Sequence, residues 1–137
     1  MLKSLNHIGI AVKSLDEAIK IYCDLLGFGE PEIIELKDMN LKVAIFKMEN
    51  YKIELVESTS ENTPIAKFLE KRGPGIHHLC FNVDNIEEQL ARFKANGVIL
   101  IDEKPRIGAL GQKVAFISPK STNGVLIELS EQTGHKK

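Results

Sequence analysis

From Leu5 to Val12 the chain alternates, with Ile8, Ile10 and Val12 on one side and His7, Gly9 and Ala11 on the other. That period of two is expected of a half-buried β-strand. Ser14-Leu15-Asp16-Glu17 follows as a capping box, in which Ser14 and Glu17 satisfy the first amides of a helix. The spacing predicts a helix over 15–26, with Leu15, Ala18, Ile19, Tyr22, Leu25 and Leu26 on one stripe and Gly27 at its end. Strands are expected over 30–36, 41–48 and 51–57, turning at Asp38-Met39-Asn40 and Glu49-Asn50. Thr63 and Pro64 open a short linking helix over 63–72, stopped by Gly73-Pro74-Gly75. The same plan then returns: a strand over 76–83, a cap at Asn85 with Glu88 three positions on, and a helix to Asn96 closed by Gly97. Strands over 98–103, 112–118 and 124–130 complete it.

The return is a repeat of letters as well as of pattern. Leu5-Asn6-His7-Ile8-Gly9-Ile10-Ala11-Val12 matches Ile76-His77-His78-Leu79-Cys80-Phe81-Asn82-Val83 at an offset of 71, with His7 and His78 in register. The caps Ser14 and Asn85 keep that offset, and Lys52-Ile53-Glu54-Leu55-Val56-Glu57 returns 74 positions later as Leu126-Ile127-Glu128-Leu129-Ser130-Glu131. A repeat carried by both caps and strands is structural. The expected fold class is α+β: two tandem βαβββ modules, about 5–57 and 76–131, joined by the linker helix into one domain over 1–137. Two four-stranded sheets, each covered by a helix on one face, would form a cup-shaped, half-barrel mixed sheet whose inner wall carries the other set of side chains.

Strand parity then places four polar residues on that inner wall. His7 lies opposite the Ile8/Ile10/Val12 row, Glu54 opposite Ile53 and Leu55, His78 opposite Leu79, Phe81 and Val83, and Glu128 opposite Ile127 and Leu129. Two imidazoles and two carboxylates suit one borderline or hard divalent ion: Co, Mn, Ni, Fe or Zn. An octahedral shell would keep two positions open for a chelating substrate, and ligation without cysteine argues against a closed structural zinc site. His77 has the opposite parity and reads as structural or supporting, and His135 sits in a polar tail with no assigned role.

Composition narrows the partners. A net charge of −1 with dispersed Lys and Arg leaves no electrostatic footprint for nucleic acid or membrane. No apolar run approaches the ~20 residues that span a bilayer, and Met1-Leu2-Lys3-Ser4 runs straight into a strand, leaving no room for a signal peptide. Cys23 and Cys80 lack motif spacing and are read as free thiols of a cytoplasmic protein.

These phrases resemble the vicinal oxygen chelate (glyoxalase/bleomycin resistance/dioxygenase) superfamily, over nearly the whole chain from Leu5 to about Glu131. Within it the chain is most similar to the methylmalonyl-CoA epimerases, through Thr63-Pro64-Ile65-Ala66-Lys67-Phe68-Leu69 running into Gly75-Ile76-His77-His78, through Ile107-Gly108-Ala109-Leu110-Gly111, and through Ser118-Pro119-Lys120 and Gly124-Val125-Leu126-Ile127-Glu128-Leu129. The resemblance implies a metal site at His7, Glu54, His78 and Glu128, a small acyl-CoA substrate and a homodimer. It also implies inversion at C2 of methylmalonyl-CoA by proton abstraction, with Glu128 as one base. Family members that place a second base on the strand before Glu54 do so at a position that matches Ala44, which leaves Glu54 to take that role. Many epimerases carry Gln where Glu54 stands, whereas bacterial glyoxalase I carries Glu. Gly108 and Gly111 would shape the thioester pocket, and Lys113 and Lys120 would meet CoA phosphates. The alternatives are a glyoxalase I-type lactoylglutathione lyase and a metal-free binding protein of the same fold. The second is disfavoured by the absence of Trp and the presence of only two Tyr.

Overall fold

The structure, a computed structural model, describes residues 2–132, so His135 lies outside the described residues. The chain divides into two compact units, one formed by 7–77 and the other by 1–6 together with 78–137.

In the first unit, β1 (Leu2–Ala11) leads into α1 (Leu15–Ile19), which continues as a π-helical turn over Lys20–Leu25. Three strands follow: β2 (Glu32–Leu36), β3 (Leu41–Lys47) and β4 (Lys52–Ser58). Neighbours run β2-β3-β4-β1, with β1 parallel to β4 and the other pairs antiparallel. One sheet face packs Ile8, Ile10, Ala44, Phe46, Ile53 and Leu55 against Leu15, Ala18, Ile19 and Tyr22. On the other face α2 (Pro64–Arg72) lays Ile65, Phe68 and Leu69 over Ala11, Val43, Ile45 and Val56. The linking helix therefore covers part of the wall that parity reserves for polar side chains.

The second unit repeats the arrangement with β5 (Gly75–Val83), α3 (Ile86–Ala95), β6 (Arg106–Ile107), β7 (Lys113–Ile117) and β8 (Ile127–Glu131). The order is β5-β8-β7-β6, and β5 and β8 are parallel. Residues 2–6 of β1 belong here: Lys3 Nζ lies 3.2 Å from Asp84, and Asn82 bonds both Ser4 and Asn6 at 2.9 Å. Val83, Ala115, Ile117 and Leu129 pack on Ile86 and Leu90 of α3. Each unit is thus a βαβββ repeat of the expected α+β class.

The strand expected over 98–103 is not formed. That segment makes a single bridge, Leu100 to Ile117, and the edge strand is instead Arg106–Ile107. The cause is a side chain standing in for backbone: the Phe116 amide donates to the Asp102 carboxylate at 2.9 Å, while the Ile101 and Asp102 amides both donate to the Phe116 carbonyl. The ladder cannot propagate past a residue whose partners are taken in this way.

The repeat extends to the helix caps. Ser14 Oγ accepts from the Glu17 amide and Asn85 Oδ1 from the Glu88 amide. The Leu15 amide donates to Glu57 at 2.8 Å, and the Ile86 amide donates to Glu131 at 2.7 Å. The carboxylate that completes each cap comes from the far end of the module, where a negative charge also suits the helix N-terminus. Glu57→Ala and Glu131→Ala are each expected to lower unfolding stability by about 1–2 kcal/mol in urea titrations.

Candidate metal-ligating pairs

Parallel pairing at equivalent register positions Gly9 beside Glu54 in the first unit and Cys80 beside Glu128 in the second. In each unit the histidine two residues earlier on the β1 or β5 strand then reaches the glutamate. His7 Nδ1 lies 3.4 Å from Glu54 Oε2, and His78 Nε2 lies 3.3 Å from Glu128 Oε1. His7, His78 and Glu128 are buried, and the Glu54 side chain is 16% exposed. The sequence expectation set these four residues on one wall, one His and one Glu from each module, and each unit brings its own His and Glu together.

The pairs fit a divalent ion by donor chemistry and by spacing. Two donors about 2.1 Å from one ion and at right angles would lie ~3 Å apart, a few tenths of an ångström closer than the separations observed. Burial favours the same use, since an imidazole and a carboxylate away from water need a charged or hydrogen-bonding partner. The sites stand in apolar surroundings: Ile45 pairs directly with Glu54, and Phe116 pairs with Glu128 and meets the His78 ring edge-on at 6.0 Å.

Cys80 is a residue that sequence reasoning passed over as an isolated thiol. It is fully buried, shares the face of His78, and its sulfur lies within 4.8 Å of a Glu128 carboxylate oxygen. Parity along 78, 80 and 82 carries the signal. Ser130, two residues past Glu128 on that face, is 2% exposed, and its hydroxyl has no hydrogen-bond partner among the described residues. His77 points to the other face, edge-on to Phe68 at 5.0 Å, with Arg72 over the same Phe68 ring at 5.6 Å, in keeping with a structural role.

Other expected site residues lie elsewhere. Lys113 leaves β7 on the α3 face, away from Val114 and Phe116, and its ammonium bonds Glu87 at 2.9 Å. The Glu87 bond pushes the Lys113 amine up, and Lys113 in turn holds the Glu87 carboxyl below its ordinary range. Expectation placed Lys113 at a CoA phosphate, whereas alternation along β7 turns it to the helix. Lys120 is exposed on a 3₁₀ turn over Pro119–Ser121. Gly108 and Gly111 shape the turn from β6 to β7: the Gly108 amide bonds the Gln112 carbonyl at 2.7 Å, and a Cβ on Gly108 would meet Val114 Cγ1 at 2.9 Å. Gly111 has φ +86°, a region that side chains rarely adopt.

Ala44, the position matched to a second base, is fully buried on the α1 face of β3, and its repeat counterpart Ala115 is fully buried beneath α3. A carboxylate there would face the helix. The residue of β3 on the Glu54 side is Ile45.

Residues 6–116 match the Glyoxalase/Bleomycin resistance protein/Dioxygenase superfamily, and the chain belongs to that superfamily. It is 42% identical over 133 residues to the uncharacterized protein YqjC of Bacillus subtilis, covering 97% of this chain and 95% of that one. It is 40% identical over 135 residues to an ethylmalonyl-CoA/methylmalonyl-CoA epimerase of Cereibacter sphaeroides, covering 96% and 99% of the two. A solved structure of a variant Streptomyces coelicolor methylmalonyl-CoA epimerase in complex with 2-nitronate-propionyl-CoA is similar at a TM-score of 0.90 and 28% identity, over 100% of this chain and 99% of that one.

Two outcomes follow from these placements. Ala44→Glu is expected to cost more than about 3 kcal/mol or to prevent folding, because it buries an unpaired carboxylate; a variant with wild-type stability in urea titration would contradict the placement. Lys113→Ala is expected to free the Glu87 carboxyl to rise toward its ordinary value, read by NMR titration. It should also flatten the acid limb of stability, because the lowered Glu87 value stabilises the fold above its ordinary 4.5 and is lost as pH falls through the folded value.

Proposed function

We propose that the chain epimerises methylmalonyl-CoA at C2, and that His7, Glu54, His78 and Glu128 serve as divalent-metal ligands for that reaction. The observation that carries this reading is the duplicated His–Glu pair, at 3.4 Å in one unit and 3.3 Å in the other, at equivalent register. Epimerase relatives that match nearly the full chain support it.

When bound, the ion supplies a Lewis acid for the negative charge that gathers on the thioester oxygen as the C2 proton leaves. The chain's own residues move the proton. Glu128, beside His78, takes it from C2 onto a carboxylate oxygen. Inversion needs a second base that returns a proton to the opposite face of the planar carbanion, and Glu54, the repeat counterpart of Glu128, is assigned that step. With Ala44 on the helix side and Ile45 facing Glu54, β3 presents no carboxylate to the pair. His7 and His78 hold the two carboxylates in place, and the burial of His7, His78 and Glu128 limits the bulk water that could compete for the proton.

Co²⁺-loaded protein is expected to exchange the C2 proton of methylmalonyl-CoA with deuterated water and to invert its configuration. His78→Ala should abolish both. Glu54→Gln should slow inversion by roughly 10²–10⁴-fold while one isomer still exchanges at C2. Bound metal per chain is expected to fall in both His7→Ala and His78→Ala; full metal content in either variant would contradict the ligand assignment. A folded, metal-loaded protein that exchanges nothing would sink the epimerase reading, and the glutathione hemithioacetal of methylglyoxal becomes the next substrate.

A further inference from the structure

The two repeats are alike in their His–Glu pairs and differ in what stands beside them. In the second unit Phe116 pairs with Glu128, and Arg106 pairs with Val114 on the same sheet face. The positions 71 residues earlier, Ile45 and Val43, pair with Glu54 and Ile34, so the counterparts of Phe116 and Arg106 are the aliphatic Ile45 and Ile34. The duplication is therefore broken at the flank of one pair, where an aromatic ring and a cation replace two isoleucines.

The cation is held in place. The Arg106 guanidinium carbon sits 5.5 Å from the centroid of Phe116, whose ring in turn meets the His78 ring at 6.0 Å. Arg106 Nε lies 3.4 Å from Asp102 Oδ1, and Asp102 is itself fixed by the Phe116 amide at 2.9 Å. Contact through Nε engages the inner edge of the guanidinium and leaves its two terminal amino groups for another partner. The side chain is 55% exposed, and it stands beside the His78–Glu128 pair with the Phe116 ring between. An arginine stacked on an aromatic and clamped by a carboxylate is pre-organised for a bidentate oxyanion.

Resting on the epimerase reading, we propose that Arg106 is the anchor for an oxyanion of the CoA thioester beside the His78–Glu128 pair. The oxyanion is either a phosphate of the CoA arm or the acyl carboxylate, which share the chemistry a guanidinium recognises.

Calorimetric titration of methylmalonyl-CoA, CoA and methylmalonyl-pantetheine into wild type, Arg106→Ala and Arg106→Lys tests this. Arg106→Ala is expected to weaken methylmalonyl-CoA binding by about 10- to 100-fold, with Arg106→Lys recovering part of the loss. KM should rise while kcat stays within about twofold, as for an interaction made equally in ground and transition states. The same loss with CoA but not with methylmalonyl-pantetheine identifies a phosphate; the reverse identifies the carboxylate. Equal affinities of wild type and Arg106→Ala for all three, with matching thermal melts, would overturn the assignment and leave the epimerase reading standing. Wild type that binds none of the three would sink that reading, and the anchor with it.

Discussion

The parallel pairing inside each unit is the constraint on which the site depends. β1 and β4, and again β5 and β8, are joined through a helix and two intervening strands, because a parallel pair cannot be closed by a tight turn. The register of that pair decides whether a histidine meets a glutamate or an isoleucine. A slip of one residue would turn His7 toward α1 and bring Ile8 to the Glu54 side. What resists the slip is burial: Ile8, Ile10, Ile53 and Leu55 belong to the α1 core, and Val83 and Leu129 to the α3 core. The apolar face, by holding its own residues against a helix, aims the polar face.

The same pairing explains why each module closes on two glutamates. Glu54 and Glu128 stand on the face away from the covering helix and pair with histidines. Glu57 and Glu131, three residues on, have crossed to the other side of the strand and take the first amide of α1 or α3. A short phrase thus serves the site with one carboxylate and the fold with the next, and the period of two separates their roles. It also shows why Ala44 and Ala115 are small. Both sit where a helix presses on β3 or β7, and a larger side chain there would push the helix away.

Duplication gives each unit the same His–Glu pair, and the two units depart from one another beside it. Superfamily membership is carried by the repeated framework. The departure lies in Asp102, Arg106 and Phe116, which occur in one unit and not the other. They are brought together because Asp102 replaces a ladder bond to Phe116 and so ends pairing where the segment would otherwise continue as a strand.

Much of this was legible in the chain itself. Alternation in 5–12 and 76–83, the caps at Ser14 and Asn85, and the repeated Ile-Glu-Leu phrase predict the modules, the faces and the residues of both His–Glu pairs, because strand periodicity and helix capping act over a few neighbouring residues. The sequence alone did not reveal the Glu57 and Glu131 caps, which act across 42 and 45 positions. Nor did it reveal the loss of the 98–103 strand, the turn of Lys113 toward Glu87, or the seat of Arg106 on Phe116. Those depend on which backbone groups are already satisfied and which face each strand presents. Such choices are settled only when distant segments compete for the same partners, and only the folded chain makes them.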